Sequence, residues 1–176
     1  MTDVATFDRM TPLQAAELLR ACCGAERWVQ SMLLRMPFGD IHAVLAAADE
    51  IWQRLGPDDW REAFRHHPRL GETQSEAAQD DRARIWSSTE QAGVRNTDAS
   101  MRAELAAANA AYEERFGFIC IICATGLHAE DILQLTRERL RNTPEEELPI
   151  AAEEQRMITR LRLLKLFNDR DKAAPT

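Results

Sequence analysis

The 176-residue chain contains no apolar run of the roughly 18 residues that a membrane-crossing helix requires, so no transmembrane segment is expected. Residues 1–10 carry two acidic groups, Asp3 and Asp8, and no apolar stretch, which argues against a secretory signal. The final residues, Asp171 to Thr176, lack a peroxisomal address, and the expected compartment is the cytoplasm. Four cysteines are too few to staple a disulfide scaffold of this size. The formal charge of −7 argues against a sequence-independent nucleic-acid binder, and Arg137, Arg139 and Arg141 read as a solvated helix face. There is no glycine-rich phosphate loop, no G-x-S-x-G elbow and no H-E-x-x-H zinc helix. Hairpin strands, internal repeats and low-complexity tracts are missing as well.

What remains is a chain that is 45% hydrophobic and 29% charged, enough to bury one continuous core. Helix signals recur throughout. Thr11-Pro12-Leu13-Gln14 supplies an N-cap, a proline at the first helical position and a capping-box glutamine. A short helix carrying Trp28 and Met32 precedes Pro37. Asp40 then caps a stripe of Ile41, Val44, Leu45, Ala48, Ile51, Trp52 and Leu55. Gly56-Pro57 opens a helix on which Trp60, Phe64 and His67 share a face, and Pro68 ends it. A helix is expected over about residues 75–92, another from Asp98 to Gly117, and two more near 128–141 and 144–168, the last opened by Thr143 and Glu146. Phe118 to Ala124 is nearly all apolar, and periodicity does not separate strand from buried helix there, although helical surroundings favour a buried segment. The expectation is an all-α, single-domain bundle of seven or eight helices over residues 11–170, with flexible tails at 1–10 and 171–176.

Three polar residues interrupt this pattern, and such interruptions often mark sites. His67 shares a face with Trp60 and Phe64. It is either a packed core histidine or an acid/base group at a pocket mouth, where the negative end of the helix favours the protonated ring. Glu90, one turn after Trp86, reads from the pattern as an exposed helix carboxylate. Arg162 falls on the inner stripe of Leu148, Ala151, Gln155 and Ile158, and needs either an internal carboxylate or an anionic ligand. Cys120 and Cys123 form a C-x-x-C but lack further ligands at finger spacing, so buried small hydrophobes is the better reading than a metal site. His66 and His67 stand about 100° apart on a helix, awkward for joint ligation with Glu72.

Four segments together resemble the 2-oxo-4-hydroxy-4-carboxy-5-ureidoimidazoline (OHCU) decarboxylase family of uric acid breakdown. They are His67-Pro68-Arg69-Leu70-Gly71-Glu72, Ser87-Ser88-Thr89-Glu90-Gln91-Ala92-Gly93, Asn109-x-x-Tyr112-x-x-Arg115-Phe116-Gly117-Phe118 and Ile158-x-x-Leu161-Arg162-Leu163. Cys22-Cys23-Gly24, Trp28 and Arg35-Met36-Pro37-Phe38 add to the likeness, which covers about residues 11–168. The resemblance implies a helical, often homodimeric decarboxylase that yields (S)-allantoin without cofactor or metal. Its pathway neighbours would be hydroxyisourate hydrolase and urate oxidase. It implies that His67 and Glu90 are catalytic, and that Pro68, Ser87, Ser88, Thr89, Glu90 and Gln91 contact the ureidoimidazoline substrate. Cys120, Ile121, Ile122, Cys123 and Ala124 would form a second wall whose backbone bonds the substrate, and Arg162 would hold an anionic or carbonyl oxygen. At Cys120 the family commonly has an aromatic residue. The competing reading is a non-catalytic helical interaction module in which His67 and Arg162 are merely packed; a metal enzyme built on the cysteines and histidines is a third.

Overall fold

Short polar side chains set most of the helix starts. In the computed structural model, which describes residues 2–69, 86, 90 and 97–167, Asp40 accepts the Ala43 N–H at 2.8 Å and Asp98 accepts the Met101 N–H at 2.8 Å. Thr11 and Gln14 form the expected capping box, and Thr143 and Glu146 form another. Each such cap stabilises its helix by about 1 kcal/mol. The helices are α1 (Val4–Phe7), α2 (Pro12–Cys22), α3 (Glu26–Leu33), α4 (Ile41–Gln53), α5 (Pro57–Phe64), α6 (Ala99–Phe116), α7 (Ala129–Arg139) and α8 (Pro144–Phe167). Trp86 and Glu90 are helical too, and no strand occurs among the described residues. None of the described helices is long and apolar enough to cross a membrane.

Contacts among the described residues fall into two compact units. One runs to Glu62 and takes in the chain from Arg156. Its core includes Leu19, Trp28, Val29 and Met32, none of them exposed, and the Trp28 indole donates to the Ala48 carbonyl at 3.2 Å. The short helix α1, Val4–Phe7, belongs to this unit. Phe7 is completely buried, with its ring 5.2 Å from Phe167, and the Asp8 carboxylate accepts the N–H groups of Phe38 and Gly39. Residues 171–176 lie outside the described residues.

The second unit spans Ala63–Gln155. Its core packs Leu105, Tyr112 and Phe116 of α6 against Ile132 and Leu133 of α7. Gly117 closes α6 in the left-handed region at φ 74°, where a side chain would be strained, and its N–H bonds the Glu113 carbonyl at 2.8 Å. The following stretch, 118–124, is neither helix nor strand; it is irregular, and Cys120, Ile121, Ile122 and Ala124 are buried. Arg139 corrects the expectation of a solvated arginine face. It is 8% exposed and lies on the inner stripe of α7 with Ile132 and Thr136.

Candidate active site

The arrangement around His67 begins with the end of α5. The N–H groups of His66 and His67 bond the carbonyls of Ala63 and Phe64, both at 3.1 Å, tightening the chain into a turn that Pro68 prevents from continuing as helix. His67 is half-buried in this turn. Anchors hold the turn on either side. Before it, the buried Phe64 ring lies 5.3 Å from Phe118. After it, Arg69 grips the Glu113 carboxylate with Nε at 2.6 Å and Nη2 at 3.1 Å. Glu113 lies in the last turns of α6 and Phe118 just after its end, so the imidazole-bearing turn is tied to the chain that leads into the expected wall at 120–124.

That wall is backbone buried without the hydrogen bonds of regular structure, a costly state unless each polar group finds a partner. Side chains supply part of what is needed. Arg139 Nη1 donates to the Ile121 carbonyl at 2.6 Å, and the Cys123 N–H donates to Glu154 Oε2 at 2.7 Å. The Leu127 N–H reaches the Ala124 carbonyl at 3.1 Å. The Cys123 N–H is thus held by a side chain of α8. Cys120 places its Sγ 3.7 Å from Thr136 Oγ1, and burial pushes its thiol up to about 11. It is a neutral packing group at physiological pH. Among the described residues no three His, Cys, Asp or Glu side chains gather as a metal site.

Behind the wall lies a polar cluster that the pattern analysis missed. Glu147 is fully buried, and Oε1 accepts Arg139 Nε at 2.7 Å and the Tyr112 hydroxyl. Its Oε2 accepts Asn142 Nδ2 at 2.7 Å. The Arg139 guanidinium also lies 5.7 Å from the Tyr112 ring centre. Burial pushes the Tyr112 phenol well above its usual range, so it stays protonated and donates. The signal was present as spacing: Arg139 continues the stripe of Ile132 and Thr136, and Glu147 precedes Ala151 and Gln155 by one and two turns.

Glu90 is helical and 8% exposed, which corrects the exposed carboxylate suggested by local pattern. It belongs to the same unit as His67 and the wall. Pro68 is half-buried beside His67, while Ser87, Ser88, Thr89 and Gln91 lie outside the described residues. Arg162 belongs to the other unit, is 3% exposed, and directs Nη1 to the Ala21 carbonyl at 3.4 Å. A main-chain carbonyl is thus one partner of this cation, beyond the carboxylate or ligand that burial alone suggested.

The sequence profile of the OHCU decarboxylase family matches residues 8–164, which include every residue of this arrangement. The chain belongs to the OHCU decarboxylase family. It is similar to the 2-oxo-4-hydroxy-4-carboxy-5-ureidoimidazoline decarboxylase of Amia calva, with 36% identity over 128 residues covering 72% of each chain. It is also similar to the uric acid degradation bifunctional protein TTL of Arabidopsis thaliana, with 39% identity over 153 residues. That match covers 87% of this chain and 47% of the plant protein, so the chain spans about half the length of that relative. Among solved structures, an OHCU decarboxylase crystallised with (S)-allantoin superposes with a TM-score of 0.73 at 36% identity, covering 87% of this chain and 99% of the other. An (S)-allantoin synthase structure superposes with a TM-score of 0.69 at 18% identity, covering 95% and 55%, a likeness of fold alone. Within the OHCU decarboxylase family, this member carries Cys120 packed against Thr136 at the wall.

Proposed function

We propose that the chain decarboxylates 2-oxo-4-hydroxy-4-carboxy-5-ureidoimidazoline and releases (S)-allantoin, with His67 and Glu90 as the catalytic pair. Family membership across residues 8–164 supports the substrate class. The observation that carries the site is the half-buried His67 turn, anchored through Phe64 to Phe118 and through Arg69 to Glu113, on the chain that leads into the wall at 120–124.

The substrate needs no external electron sink. When the bond from the ring carbon to its carboxylate breaks, the electron pair moves toward the adjacent ring C=N, whose nitrogen takes a proton. CO2 leaves, and the hydroxyl-bearing carbon becomes part of an enol. Loss of the hydroxyl proton restores a carbonyl, while a proton added to the ureido-bearing carbon creates the stereocentre. His67 takes the hydroxyl proton, a general-base role that an imidazole can fill. Glu90 accepts hydrogen bonds from ring or ureido N–H groups. Buried Ile121 and Ile122 offer an apolar surface on which losing the carboxylate charge as CO2 is favoured. By family likeness the chain works as a homodimer, which light scattering reads directly.

Because spontaneous decarboxylation is open to such a substrate, the decisive measurement is stereochemical. Uric acid is oxidised enzymatically with and without the protein, and optical rotation is followed. Rapid appearance of one allantoin enantiomer is expected. Racemic allantoin at an unchanged rate refutes the activity.

A further inference from the structure

The second wall has to present backbone groups in one fixed orientation, yet residues 118–124 have neither helix nor sheet to fix them. We propose that Arg139 and Glu154 are positioning residues that clamp this wall from two points, and that the buried Arg139–Glu147–Tyr112 cluster exists to aim Arg139. The proposal rests on the reading of 120–124 as a substrate wall.

The geometry of Arg139 supports this role. A guanidinium is a planar fork whose donors point in fixed directions. Here Nε is held by Glu147 at 2.7 Å, so Nη1 is directed at the Ile121 carbonyl, which it meets at 2.6 Å. Glu147 is itself fixed by the Tyr112 hydroxyl and by Asn142 Nδ2. Two residues further along, Glu154 of α8 holds the Cys123 N–H at 2.7 Å. The Ile121 carbonyl and the Cys123 N–H are thus both fixed by side chains, and the intervening Ile122 peptide groups are left with little freedom. A buried ion pair adds little net stability compared with apolar residues of similar volume. The cluster is better explained by orientation than by stability.

The test combines hydrogen exchange with kinetics. In the triple variant Tyr112→Phe, Arg139→Met, Glu147→Leu the polar cluster is replaced by apolar groups of similar size. Arg139→Lys is the companion in case the triple variant fails to fold, because one ammonium cannot follow the fork to both Glu147 and Ile121. For the second clamp, Glu154→Ala removes the acceptor, whereas Glu154→Gln retains a carbonyl oxygen and should rescue. Amide exchange in residues 118–124, read by mass spectrometry, should quicken roughly tenfold or more in the triple, Lys and Ala variants, with α6 and α7 still protected. KM for the ureidoimidazoline should rise about tenfold with kcat within about threefold, the split expected when binding geometry is lost rather than chemistry. Unchanged exchange in a folded variant overturns the clamp. Faster exchange with unchanged KM overturns its role in binding. Either result with an active wild type leaves the functional reading standing. A wild type inert toward the substrate overturns that reading and the binding role together, while the exchange data still decide the clamp.

Discussion

Replacing Phe118 by leucine tests whether the His67 turn and the wall act as one piece. Phe118 bridges three rings: Phe64 at 5.3 Å, Tyr112 at 5.8 Å and Phe116 at 6.1 Å. Aromatic pairs in such tilted or edge-on arrangements contribute about 0.5–1.5 kcal/mol each beyond area burial. Three of them sum to roughly 1.5–4.5 kcal/mol, but they share one ring, and leucine keeps part of the apolar contact. A loss of about 1–3 kcal/mol is the working figure. Urea denaturation should show it as a lowered midpoint at constant slope. The functional consequence is separate: Phe64 lies three residues before His67, so loosening its contact with Phe118 shifts the imidazole relative to the wall. kcat/KM should fall about tenfold, since small misplacements of reacting groups are costly. A variant that loses less than about 0.3 kcal/mol refutes the packing argument. One that loses stability as expected but keeps full kcat/KM refutes the coupling between turn and wall.

Two further outcomes follow from single groups. His67→Asn should lower kcat at least about 100-fold with unchanged circular dichroism, the usual worth of an acid/base group, and near-normal turnover would demote His67 to packing. Cys23 and Cys120 are both pushed by burial from 9.0 up to about 11. A raised pKa means that their contribution is fully present below pH 9 and is lost as pH rises from 9 toward 11, because the unfolded thiols ionise first. At pH 10.5 each should account for roughly 2 kcal/mol of lost stability. Urea midpoints at pH 8 and 10.5 measure the loss, and Cys23→Ala and Cys120→Ala should each flatten the profile; equal slopes in variants and wild type would contradict the assignment.

Local features of the chain decide most of its helices. Asp40, Asp98 and the Thr11 and Thr143 capping boxes act within three or four residues of themselves, so their effect is readable without knowing what packs nearby. The inner stripe of α8 through Gln155 and Ile158 to Arg162 was likewise legible, because helical period alone places those residues together. His67 was legible as the last polar member of an apolar face broken by Pro68. Other properties depend on partners distant in sequence. Phe7 is anchored by Phe167, Arg139 by Glu147 and Tyr112, and Glu90 is buried although its local pattern reads as exposed. The 118–124 stretch shows the division most clearly. Its apolar composition determined that it would be buried. Its irregular path shows only in the tertiary structure, where Arg139 and Glu154, distant in sequence, bond the Ile121 carbonyl and the Cys123 N–H that no helix or strand satisfies.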